Sequence, residues 1–143
     1  MYLRDATQSD RDQVVALWRS AGLVVDYNPP HEDFDRALSQ PQSAVLVGEE
    51  DNKIVAACMV GDDGHRGWVY YFGVDPSRKG QGLGREMMNA ASAWFSGRGL
   101  RKAQLLVRPN NQKVIGFYES IDWTEEPRSI FAKWIQPKFS EKT

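Results

Sequence analysis

The stretch "SAVLVGEEDNKIVAACMVGDDGHRGWVYYFGVD", residues 43–75, constrains the fold of this 143-residue chain more than any other part. It holds three apolar runs, separated at Asp51-Asn52 and across Asp62 to Gly67. Asp and Asn tolerate turn backbone and Gly adds freedom, so both breaks carry good turn chemistry. Connections this short join antiparallel neighbours, and the stretch reads as three consecutive antiparallel strands. The third, Trp68 to Val74, is almost wholly apolar, which predicts a central strand covered on both faces.

The flanks supply the layers that would cover such a sheet. "MYLRDAT" alternates and predicts a first strand. Thr7 or Ser9 can cap a helix with the stripe Val14, Leu17, Trp18 and Ala21, stopped by Gly22. "VVDYNPPHEDFDRALSQ" is irregular and predicts a loop followed by a Pro-led second helix. After the third strand of the central stretch, Met87, Met88, Ala91, Trp94 and Phe95 form a helical stripe that Gly97 and Gly99 end. "KAQLLVR" reads as a further strand. "NNQKVIGFYESI" reads as an amphipathic helix with Val114, Phe117, Tyr118 and Ile121 on one side. From Trp123 onward, broken at Pro127, a closing hairpin containing "SIFAKWI" is expected. The order is β-α-α-β-β-β-α-β-α-β-β, a mixed α/β (α+β) sheet protein expected to form a single domain over residues 1–143.

Composition removes several function classes. A net charge of -1 argues against a general nucleic-acid binder. Cys58 is the only cysteine and lies in the apolar run "IVAACMVG", so it reads as a small buried hydrophobe and no internal disulfide is available. With two histidines beside that one cysteine, no metal site is expected. No apolar stretch reaches the roughly 18–20 residues of a membrane span. "MYLRDATQSD" lacks the apolar core of a signal peptide, and a cytoplasmic protein is the expectation.

Chemistry concentrates in "VDPSRKGQGLGREMM", residues 74–88, where Gly80, Gly82 and Gly84 alternate among Arg78, Lys79 and Arg85. A strand, a glycine-rich turn and a helix start together make an anion site, because helix N-termini carry unpaired N–H groups and the positive end of the macrodipole. Two nucleotide loops fail here. No G-x-x-x-x-G-K-[ST] occurs. A G-x-G-x-x-G register places Arg85 or Met87 where the third glycine belongs. An ordinary flexible strand-to-helix turn remains the alternative on the residues alone.

The same residues resemble the acetyl-CoA pyrophosphate loop of the GNAT N-acetyltransferase superfamily: an apolar strand, V-x-P, [RQ]-x-x-G-x-[GA] and a helix. Lys79 stands at the Arg/Gln position, with Gly82 and Gly84 at the small positions. "VRPNNQKVIGFYESIDW", residues 107–123, resembles the family's second block, with Asn111 at the motif Asn and Phe117-Tyr118 at the aromatic pair. The element order is also similar along essentially the whole chain, as in a small stand-alone member. Lys79, Val114 and Asp122 depart from the pattern, where Arg or Gln, Ala and Gly are usual. None removes a group the reaction requires.

The resemblance implies direct acetyl transfer from acetyl-CoA to a primary amine of a small molecule or protein, with no metal. It also implies a central strand splayed from its neighbour, whose edge at Phe72, Gly73 and Val74 takes the pantetheine arm. Lys79, Gly80, Gln81, Gly82, Leu83, Gly84 and Arg85 would take the pyrophosphate, and Asn111 would bond near the arm. Tyr118 is the candidate general acid for the departing thiolate, and it equally fits the helix's packed stripe. His65 is a candidate base by its intrinsic pKa and equally reads as a solvated turn residue. Tyr70 and Tyr71 alternate and are expected on opposite sheet faces. Asp26, Tyr27 and Asn28, with His31 and Glu32, occupy the irregular segment bordering the implied acceptor site, with Tyr70 a further acceptor candidate. A non-catalytic acyl-CoA sensor is the alternative function. No nucleic-acid or membrane partner is expected, and the chain is expected to act as a monomer or homodimer.

Overall fold

A computed structural model describes residues 1–140. It divides into two compact units, residues 1–105 with 139–140, and residues 106–138. The first holds a five-stranded sheet in the order β1 (Tyr2–Asp5), β2 (Ser43–Glu50), β3 (Lys53–Asp62), β4 (Gly67–Val74) and β5 (Ala103–Gln104). β1 to β4 pair antiparallel, and β4 pairs parallel with β5. Three helices accompany it: α1 (Arg11–Ser20), α2 (Pro30–Leu38) and α3 (Leu83–Gly97). The mixed-sheet class and the expected order hold through these elements.

Local chemistry explains each boundary. Asp51 and Asn52 both take positive φ, 52° and 62°, the two-residue turn that matches strand twist. Thr7 and Asp10 form a capping box ahead of α1, and Pro30 opens α2. Asp10 also accepts from Arg4 at 2.7 and 3.0 Å, and Arg4 bonds Glu49 as well, so one guanidinium ties β1, the start of α1 and β2 together. The Arg4 guanidinium holds the Asp10 carboxyl down at about 2.

The core on one face gathers Val14, Leu17, Trp18, Phe34, Val45 and Val47 from α1, α2 and β2. Fully burying such side chains contributes roughly 1.5–3 kcal/mol each. α3 covers the other face with Met87, Met88, Ala91 and Phe95. Phe95 lies so close to Gly67 that a Cβ there would sit 2.5 Å from its ring.

The second unit holds α4 (Gln112–Ser120). Asn111 caps it, accepting from the Val114 N–H at 3.3 Å, and Asp122 ends it in the left-handed conformation at φ 71°. The closing hairpin expected after Trp123 is not formed: among the described residues the sheet has five strands, and 121–138 adds none. The chain turns tightly at Pro127, where the Arg128 N–H meets the Glu126 carbonyl at 2.9 Å. Ile130, Phe131, Trp134 and Ile135 are apolar without strict alternation, so nothing in the run fixes a strand register.

Candidate functional site

β4 positions the site, and its geometry departs from a regular strand. Tyr70 is opposite Met59 and Gly73 opposite Ala57, so Tyr71 and Phe72 together face Cys58. This is a β-bulge, with Tyr71 held at φ 53°. Bulky aromatic residues rarely adopt that conformation. The two glycines of β4 report its effect independently. Gly67 faces Phe95 of α3, whereas Gly73 faces Ala21 and Leu23 beyond α1. Positions six apart on a regular strand would share a face.

The bulge therefore corrects the expectation for the tyrosines. Tyr70 is opposite Met59, which packs on the α1 side, and Tyr71 stacks on Trp18 of α1 at 4.3 Å. Both tyrosines lie on the same side of the sheet. The Tyr71 hydroxyl donates to Asp33 of α2 at 2.7 Å. Burial and this carboxylate raise its pKa, so the phenol stays protonated. Tyr70 is 46% exposed, so the first half of β4 is not covered on both faces as its apolar sequence suggested. Gly73 serves close approach, since a Cβ there would lie 2.8 Å from Leu23, and the bulge falls just before it.

On its other edge β4 pairs with β5 only through Gly67 and Trp68. Phe72, Gly73 and Val74 lie beyond the end of that ladder. The glycine loop follows directly. Asp75 caps a short 3-10 turn, Pro76–Arg78, by accepting from the Ser77 N–H at 2.9 Å. Arg78 pairs with Glu50 at 2.9 Å, so it fastens the loop to the end of β2. Lys79 and Arg85 are exposed.

Gly80 and Gly82 take φ of 81° and 78°, with open space where a Cβ would be. Left-handed backbone, and not crowding, is what selects glycine at both positions. Gly82 caps α3 without a side chain, and the first amides of the helix, Leu83 to Arg85, precede the first intrahelical bond, Glu86 N–H to Gly82 O at 3.1 Å. Backbone donors, helix dipole and two cations meet at one open turn. The donor set fits a pyrophosphate.

Other predicted residues lie elsewhere. His65 is exposed in the β3–β4 turn, at the far end of the eight-residue β4 from the glycine loop, about 23 Å along the strand. The geometry does not bring it to that loop. Asp26, Tyr27 and Asn28 form a turn between α1 and α2, closed by Asn28 N–H to Val25 O at 3.2 Å. His31 lies 3.7 Å from Asp12. In the second unit, Asn111 caps α4, and Tyr118 is 8% exposed, packed edge-on to Phe117 at 5.2 Å and against Trp123 at 6.1 Å. Cys58 is fully buried, which pushes its thiol up to about 12. Asp33, Asp63 and Trp68 went unmarked in the sequence. The first is joined to Tyr71 across 38 positions, a contact no local pattern reports.

Three comparisons bear on this arrangement. The profile of the Acetyltransferase (GNAT) family matches residues 11–123. Acetyltransferase YE1169 of Yersinia enterocolitica is 35% identical over 133 residues, covering 93% of this chain and 94% of the relative. Acetyltransferase ECA0875 of Pectobacterium atrosepticum is 36% identical over 123 residues, 86% and 87% of the two chains. Among solved structures, a putative acetyltransferase from Agrobacterium tumefaciens superposes with a TM-score of 0.80 at 20% identity, over 94% of this chain and 100% of that one. AAC(6')-Iy, solved with a CoA-containing bisubstrate analogue, gives 0.81 at 15% identity, over 93% and 97%.

Proposed function

This chain belongs to the GNAT acetyltransferase family, acetyl-CoA-dependent N-acetyltransferases, and we propose that it passes the acetyl group directly to a primary amine. The observation that carries the reading is the glycine loop: left-handed Gly80 and Gly82 turning the chain into the N-terminus of α3. Lys79 to Arg85 would hold the pyrophosphate, and the β4 edge from Phe72 to Val74 the pantetheine arm. Asn111 is the proposed partner of that arm from the second family block. When bound, acetyl-CoA supplies an activated thioester.

Two proton problems then fall to the chain itself. A lysine-like amine titrates near 10.4, so presenting it neutral at pH 7 costs roughly 4–5 kcal/mol. A base, a water chain or desolvation must meet that cost. The departing thiolate needs a proton, and Tyr118 is the proposed donor. Asp26, Tyr27, Asn28 and Tyr70 are the proposed acceptor contacts. His65 stays a candidate for the base.

Thiol release from acetyl-CoA, measured against a panel of amines, amino acids and peptides, tests the reading. Turnover with at least one amine is expected. Tyr118→Phe should lower kcat by about 10²–10⁴-fold while leaving acetyl-CoA affinity nearly unchanged. Equal turnover in the variant would remove Tyr118 from the chemistry. Acetyl-CoA binding without release to any amine would favour a sensor.

A further inference from the structure

The bulge leaves a second feature on the α1 side of β4 that the donor site does not use. Trp68 and Tyr70 lie on that side, their rings 6.2 Å apart and within 17° of parallel. The indole is fixed in place: its Nε1–H donates to Asp63 Oδ2 at 3.0 Å. Asp63 is fixed in turn, its Oδ1 accepting the backbone N–H groups of His65 and Arg66 at 2.9 and 2.7 Å. These bonds, those of Arg66 and Trp68 foremost, hold the carboxyl below its ordinary range, so it is ionised at neutral pH. Its charge reaches Tyr70, whose phenol is raised by burial and then by Asp63. No cation among the described residues forms an ion pair with Asp63. Arg66 directs its guanidinium to the His65 carbonyl at 3.3 Å.

We propose that Trp68, Tyr70 and Asp63 form a seat for the ammonium group of the acceptor. The proposal rests on the amine-acetylation reading and narrows it to acceptors that arrive as cations. The exposed Tyr70 ring and the half-buried Trp68 ring attract a cation through their quadrupoles, and an ionised carboxylate beside them adds charge. A purely structural pair would bury its faces, yet Tyr70 is 46% exposed. The adjoining Tyr71, bonded to Asp33, extends the same side of the strand from this seat into the bulge. Fixing the indole and the carboxylate before binding lowers the ordering cost that a flexible surface would incur.

Titration of the full-length protein with n-butylammonium chloride, against matched sodium chloride, tests the seat through the indole N–H resonances in ¹⁵N NMR. Trp68→Phe assigns the reporting resonance by its loss. The Trp68 signal should shift and saturate with the amine. Trp18, fully buried, and Trp94, already covered by Arg98 at 4.5 Å, should not. Tyr70→Ala and Asp63→Asn should each weaken the titration about two- to fivefold, and the retained Trp94 signal shows whether each variant is folded. A Trp68 response equal to that in sodium chloride overturns the proposal. So does a titration indifferent to both variants. Failure here with amine-dependent thiol release intact removes the seat and leaves the acetyltransferase reading. A saturable seat without thiol release to any amine overturns its role as an acceptor site.

Discussion

Gly82→Ala separates the conformational part of the donor loop from every contact it makes. Gly82 sits at φ 78° and ψ 10°, and a Cβ built there meets nothing within 4 Å. The methyl group therefore costs no clash, only the left-handed penalty of an L-residue, about 1–2 kcal/mol. Where that cost appears depends on the free loop. If the loop keeps its shape in the variant, urea unfolding shows the whole loss and acetyl-CoA affinity is retained. If it relaxes, stability is retained and the cost moves to binding, raising Kd roughly five- to thirtyfold. Unfolding and calorimetry on the same samples should give losses that sum to the same figure. Gly82→Asn should recover much of it, because Asn tolerates the left-handed region. Wild-type stability together with wild-type affinity in Gly82→Ala would refute the claim that backbone shape makes this site.

Other consequences are more local. The Asp10 carboxyl is depressed in the folded state, so its contribution is complete above its unfolded pKa near 4 and is lost as pH falls toward about 2. Asp10 is 6% exposed, and the shift corresponds to about 2 kcal/mol in acid unfolding curves, a component that Asp10→Asn should abolish. Gly67→Ala drives a Cβ to 2.5 Å from the Phe95 ring and should lower stability by about 1–3 kcal/mol, measured by thermal unfolding. Tyr71→Phe removes the bond to Asp33 and should cost about 1.5–3 kcal/mol, since the acceptor is charged. Cys58 should resist iodoacetamide in the native protein and react once unfolded, because its thiol is both buried and pushed up to about 12.

Periodicity and turn chemistry made most of the first unit legible. The strands from Ser43 to Val74 announce themselves through apolar runs cut by Asp51-Asn52 and Asp62 to Gly67, and Pro30 marks the start of α2. The glycine loop was legible for a different reason: left-handed backbone leaves a compositional trace when glycine fills it. Tyr71 shows the converse. It takes φ 53° as a tyrosine, so nothing local betrays the bulge, and counting alternate residues puts the two tyrosines on opposite faces when they share one. Long-range pairs such as Tyr71–Asp33 and Arg4–Glu49 depend on tertiary packing that no window of sequence contains. The run after Trp123 is apolar enough for strands but lacks the alternation that would specify a partner. α4 was nevertheless visible through its apolar stripe of Val114, Phe117, Tyr118 and Ile121.

The proposed donor site for acetyl-CoA, the turn from Lys79 to Arg85, is open to calorimetric titration of the purified protein with acetyl-CoA, CoA and NAD. Saturable binding of acetyl-CoA and CoA, with none of NAD, is the predicted result. Failure to bind acetyl-CoA, or equal binding of NAD, would overturn the assignment.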